Sequence, residues 1–196
     1  MRVSPRLLLA SLLAFGTASS SLAESWKVDQ AHSTVGFSVS HLFTSVQGRF
    51  DRFEGTIDFD PANPEAAVVR GTIEAASINT NNEKRDKHLR SNDFFGTDEH
   101  PKLVFESTKV TVAEGRNGKI AGDLTINGVT RAVVLDVKFL GSGADPWGNQ
   151  RAGFRAELTI NRRDYGLNWN ELLETGGVLV GEEVEIRLDV EGLLEE

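Results

Sequence analysis

The 196-residue chain contains no cysteine and sets 29 acidic against 21 basic residues, a formal charge of −8. Disulfides and thiolate chemistry are thereby excluded, and a packed core must supply the stability. The acidic balance, with no basic run, argues against nucleic acid or anionic membranes as partners, because phosphate contacts need clustered Lys and Arg.

The first 23 residues read as a cleavable export signal. Arg2 and Arg6 make a basic start, Leu7 to Phe15 a short apolar run, and Ser21-Leu22-Ala23 a small-x-small cleavage site. That run is too short to span a bilayer, and the missing cysteine excludes a lipid-modified amino terminus. The expected mature protein is one domain, residues 24–196, with 19 basic against 29 acidic residues. Its expected address is the bacterial periplasm.

From there the apolar period is two, the signature of strands with one buried face. Val35, Phe37 and Val39 share a face in "HSTVGFSVSH", residues 32–41. Phe53, Ile57 and Phe59 form a second run, and Val69, Ile73 and Ala75 a third. Leu103 and Phe105 are followed by Val110 and Val112, a parity change that predicts a β-bulge. Ile120, Leu124 and Ile126 lead into Asn127-Gly128, a strong hairpin signal, and Val133 to Phe139 return. Phe154 to Ile160 and Val184 to Val190 complete eight strands. Eight antiparallel strands with short connections predict an all-β, up-and-down barrel, either filled by its own side chains or holding one small ligand. Gly36, Gly55 and Gly71 suggest gaps. The uninterrupted stretch 80–95 predicts a short helix near one end, with Asp86 and Arg90 at favourable i,i+4 spacing.

Catalytic and metal signals are thin. On a continuous strand His32 and His41 differ by nine positions, so they point to opposite faces, roughly 30 Å apart. They cannot share a metal ion. His88 and His100 have no nearby partner histidine, and Gly141-Ser142-Gly143 is no nucleophile elbow. No catalytic residue or metal site is expected from these patterns. The residues alone reach no further than an exported β-barrel, with a filled core and a ligand cavity both open.

The segments "DQAHSTVGFSVSHL", "GRFDRFEGTIDFDP", "SINTNNEKRDKHLRSNDFF", "HPKLVFEST", "GDLTINGVTRAVVLDVKF" and "INRRDYGL" occur in this order. Together they resemble the YceI-like family of polyisoprenoid-binding proteins, from about Trp26 to Val190. The resemblance implies a lipocalin-like barrel whose long cavity holds a polyprenyl chain, such as a quinone tail or polyprenyl phosphate, and a binding protein with no cofactor and no enzymatic activity. Fatty-acid or fatty-amide binding is the alternative ligand class. A ligand-free structural barrel, for instance a stress-induced partner of a membrane redox protein, is the runner-up, and a homodimer is a further candidate assembly. The candidate cavity wall takes Val35, Phe37, Val39 and His41 from the first run. Leu103, Phe105, Phe139 and Phe154 come from later strands. Leu89, Phe94 and Phe95 would shield one end, with Tyr165 and Trp169 at the mouth. Arg85, Asp86 and His88 match the family's polar signature, with helix anchoring and head-group contact both open. Arg163 departs from the small polar residue often found at its place.

Overall fold

The computed structural model describes residues 24–171 and 179–195; the expected export signal lies outside them. Eleven strands among the described residues form one antiparallel sheet. They are β1 (Glu24–Val28), β2 (Thr34–His41), β3 (Thr44–Phe50), β4 (Phe53–Phe59), β5 (Val68–Glu74), β6 (Ile78–Asn79), β7 (Lys102–Val112), β8 (Asn117–Ile126), β9 (Val129–Ala144), β10 (Gln150–Asn161) and β11 (Val180–Leu194). Because β11 pairs with both β1 and β2, the sheet closes on itself. The first six strands are three staves broken in two, β1 with β2, β3 with β4 and β5 with β6. The result is the expected closed eight-stave antiparallel barrel with every neighbour consecutive in sequence. Closure through β11 removes most of the sheet edge; among the described residues β6 pairs only with β3, at Arg49 and Phe50.

The three breaks sit side by side and are bonded to one another. Gln30 Nε2 donates to Asp51 O (2.7 Å), Asp51 N to Ser77 O (3.1 Å) and Arg52 N to Ser77 Oγ (3.1 Å). The backbone groups that leave the ladder thus find partners, and three adjacent staves bend together. The parity change in β7 is a register shift between Ser107 and Lys109. Asn127 and Gly128 both take positive φ, +51° and +73°, so the β8–β9 turn has the type I′ twist that suits a tight hairpin.

One helix, α1 (Glu83–Arg90), crosses one end of the barrel, capped by Asn82, whose side chain accepts from Arg85 N. The expected Asp86–Arg90 pair does not form. Asp86 is buried and accepts from Thr80 N (2.9 Å) and Thr80 Oγ1 (2.5 Å), while Arg90 donates to Ala76 O (2.8 Å) and Ile78 O (3.1 Å). Both side chains tie the helix to the barrel, which contributes more than an exposed helical ion pair. Replacing Asp86 by Ala strands two buried donors; the expected loss is about 2–3 kcal/mol, measured by urea unfolding, with Asn costing less.

Candidate ligand-binding cavity

Inward side chains pack into two clusters, one under the helix (Val35, Phe50, Ile78, Leu103, Ile126 and neighbours) and one at the other end (Trp26, Ile57, Phe59 and Ala152). Between them Phe37, Phe105, Leu158, Ile186 and Leu188 are only half-buried although they face inward, because they border open space. That space is a cavity of about 450 Å³, so the interior is hollow. From Leu103 to Val112, both in its wall, β7 covers about 30 Å, or roughly 23 Å along the axis at a strand tilt of ~40°. The cavity is thus long for its volume, a shape suited to an extended chain.

Glycines shape the bore. Gly55 and Gly71 pair across β4 and β5, and Gly71 pairs in turn with Phe105. A Cβ on Gly71 would meet nothing nearer than Glu54 O at 4.0 Å, whereas one on Gly55 would lie 2.7 Å from Arg70 O. Gly71 therefore leaves room, and Gly55 permits close backbone approach. Gly36 would point a Cβ toward Thr34 on the outer face, while its backbone borders the cavity. Gly48 and Gly122 make way for the rings of Phe37 and Phe105, each within 2.5 Å of where a Cβ would sit.

The two ends differ. At the helix end Leu89, Phe94, Phe95 and Leu167 line the cavity and are buried or half-buried. Phe50 stacks between Phe37 (5.8 Å between ring centroids) and Phe95 (5.9 Å). Arg162 forms the floor: its buried guanidinium donates from Nε to Gly181 O (2.8 Å) and from Nη1 to Leu167 O. Burial pushes its pKa below the ordinary arginine value. At the opposite end the lining includes exposed Pro61, Val112, Gly115, Arg116 and Asn117, which form the mouth. Just inside it Phe59, Phe139 and Phe154 pack mutually at 5.3–5.5 Å, and the Arg116 guanidinium lies 5.9 Å from the Phe139 centroid.

Of the residues expected in the wall, Val35, Phe37, Leu89, Phe94, Phe95, Leu103, Phe105, Phe139 and Phe154 line the cavity. Val39, His41, Tyr165 and Trp169 are not among the lining residues. Val39 pairs with Val184 and His41 with Val180, while Arg162 crosses to Gly181 between those levels, so His41 lies below it. Tyr165 is 1% exposed in the core under the helix, not at the mouth. Trp169 also sits at the helix end, stacked on His88 (4.8 Å) and Phe94 (5.3 Å).

The polar signature of the helix is spent internally. Arg85 donates to Thr80 Oγ1 (2.7 Å) and Thr80 O (2.8 Å), and His88 Nε2 is 2.8 Å from Asp93 Oδ2. Arg163 pairs with Glu182 at 2.8 Å. Leu135, Leu158, Ile186 and Leu188, on the apolar faces that the alternation marks but not among the expected wall residues, line the cavity as well. Arg162 gave no such signal, because an arginine reads as a surface residue.

A second polar cluster braces the mouth end. His32 closes a single turn, Gln30–His32, rather than opening β2, and its Nδ1 lies 2.8 Å from Asp29 Oδ2. Asp29, His32 and Glu191 each bring one potential ligand atom within 4.8 Å of the others. Arg151 takes the place a cation would take: it binds Asp29 (2.8 Å), Asp145 (2.8 Å) and Glu191. Arg151 and His32 hold the Asp29 carboxyl down to about 2 from 3.8. A depressed carboxyl contributes stability that is complete above its unfolded value and lost as pH falls through the folded one. Thermal unfolding should therefore show a fall in Tm between pH 4 and about 2, and Arg151→Met should flatten it.

Comparison with known proteins agrees with this architecture. The profile of the YceI-like domain matches residues 26–192. A UPF0312 protein of Pseudomonas paraeruginosa is 41% identical over 180 residues, 90% of this chain and 91% of its own. The crystal structure of BcnA from Burkholderia cenocepacia superposes with a TM-score of 0.75 at 26% identity, covering 84% of this chain and 98% of that one. A polyisoprenoid-binding domain from Saccharophagus degradans shares the fold at 18% identity, with a TM-score of 0.60 over 89% of this chain and all of its own. With its whole barrel matched and 41% identity to a curated relative, the chain belongs to the YceI-like family.

Proposed function

We propose that the protein sequesters or carries a long apolar amphiphile, most readily a polyisoprenoid such as a quinone tail or polyprenyl phosphate, after export to the periplasm. The observation that carries this reading is the narrow apolar bore, floored at the helix end and open at the other. A linear chain enters tail first, and its polar head stays at the mouth, where Arg116 supplies a cation in the lining. The polyisoprenoid-binding relative with the same barrel supports the ligand class.

The wall favours binding over catalysis: none of the four histidines lines it. Burying about 500 Å² of ligand contributes ~12 kcal/mol gross, against association costs of ~4–15 kcal/mol. Tight binding thus needs a chain that fills most of the bore. Competition between a polyprenyl phosphate and a fatty amide of matched length, displacing a fluorescent fatty acid, tests the ligand class. Stronger displacement by the polyprenyl chain is expected; preference for the fatty amide would assign the alternative class, and displacement by neither would reject the reading.

A further inference from the structure

The β9–β10 hairpin differs in character from the rest of this charged chain. Between Leu140 and Gln150 it reads LGSGADPWGNQ, with Asp145 as its single charge. Its base projects past the rim, because β8 stops pairing with β9 at Asn117–Lys138 whereas β9 and β10 continue to Ala144–Gln150. At the tip stands Trp147, 82% exposed.

This tip is held rigidly. Asp145 Oδ1 accepts from Trp147 N (2.9 Å) and Asn149 N (2.9 Å), and Oδ2 from Asn149 Nδ2 (2.9 Å) and Arg151 Nε (2.8 Å). Gly148 takes φ +92° and closes the turn. Within residues 140–151 Asp145 and Arg151 are the only charges and offset each other, although Arg151 also serves Asp29 and Glu191 behind the hairpin. Holding a large indole in water gains nothing for folding.

Its position gives the reason. The hairpin stands at the mouth: Arg116, in the mouth lining, donates to Leu140 O at 2.7 Å. Val112 in the same rim and Leu140 at the hairpin base are each 43% exposed. Val112 lines the opening, Leu140 adjoins Arg116 of its rim through its carbonyl, and Trp147 stands at the tip of the same hairpin. Exposed apolar side chains thus lie on the mouth side of the barrel.

We infer that this hairpin docks the mouth onto the surface of a zwitterionic lipid bilayer, with Trp147 entering the interfacial region. This rests on the reading of the cavity as a site for a chain drawn from a membrane. Indole rings favour the membrane–water interface, apolar on one side and wet on the other. A neutral hairpin on an acidic protein selects an uncharged surface, since net negative charge repels anionic lipid. Docking lets the chain move from bilayer to bore without crossing water.

The test is flotation with phosphatidylcholine vesicles, comparing wild type, Trp147→Ser and Phe43→Ser. Phe43 is fully exposed on the β2–β3 turn at the opposite end and serves as control. Expected is wild-type association that changes little between low and high salt, at least tenfold weaker partitioning for Trp147→Ser, and less than twofold change for Phe43→Ser. Brominated acyl chains should quench tryptophan emission in wild type and not in Trp147→Ser. A parallel uptake assay, with a fluorescent long-chain fatty acid and no vesicles, should give equal affinity for wild type and Trp147→Ser. Wild type that takes up the probe but ignores vesicles, or Trp147→Ser that floats like wild type, overturns the docking inference and leaves the cavity reading standing. Trp147-dependent flotation without probe uptake supports docking and counts against the cavity reading. Self-association through the hairpin, seen as a Trp147-dependent dimer with no flotation, also overturns it.

Discussion

Gly71→Leu abolishes uptake of long-chain ligands while leaving the barrel at least as stable as wild type. Gly71 faces the bore, and its missing Cβ would have only Glu54 O as a neighbour, at 4.0 Å. The Cβ has room, and a leucine there blocks the passage at the level of Phe105. It also replaces a flexible strand residue and fills empty volume, changes that contribute about 0.5–2 kcal/mol of stability. The affinity for a chain that needs the full bore should fall at least 100-fold, the equivalent of about 3 kcal/mol. Gly55→Leu is the informative contrast. Its Cβ would lie 2.7 Å from Arg70 O, so that variant should lose stability as well as binding. Displacement titration and urea unfolding on the two variants separate a hollow barrel from a filled one, because in a filled core both would destabilise.

Tyr165→Ala is expected to cost about 3–5 kcal/mol, the largest single loss in the molecule, because it empties a fully buried aromatic site. Tyr165→Phe should cost nothing or add about 1 kcal/mol, since the Tyr165 hydroxyl is buried without a hydrogen-bond partner among the described residues. The same burial pushes the phenol above its ordinary value of 10.0. A raised acid favours the protonated fold, so the wild-type protein keeps its full stability below about pH 10 and loses it as pH rises beyond. Tyr165→Phe removes that alkaline loss. Urea unfolding of the three proteins at neutral and alkaline pH checks both parts, and ligand uptake by Tyr165→Phe should match wild type because the ring is not in the cavity wall.

Most of the barrel was legible because its strands are wet on one face, so burial writes itself as a period of two. The bulge in β7 showed in the parity change between Phe105 and Val110, and the β8–β9 turn in Asn127-Gly128. What was lost has equally local causes. The strand β3, TSVQGRF, did not read as a strand because its inward Gly48 carries no side chain; the Phe37 ring of β2 fills that place. A neighbour's bulk erased the alternation. Within the site, Phe37, Phe105, Phe139 and Phe154 were readable from strand parity. His41 shares that parity, but the cavity ends where Arg162 crosses to Gly181, and a floor made by tertiary hydrogen bonds has no sequence period. Tyr165 and Trp169 were assigned to the mouth from ring type alone; chain topology places both at the helix end.

The central claim is that the bore holds a long apolar chain, and the most direct measurement is native mass spectrometry of the protein purified from its own host without detergent. The account predicts an added mass that disappears on denaturation, is released intact as a single-chain lipid with a polyisoprene tail, and is missing from Gly71→Leu prepared alongside. A protein that emerges consistently at its bare mass, and still does so after incubation with polyprenyl lipids, would contradict it.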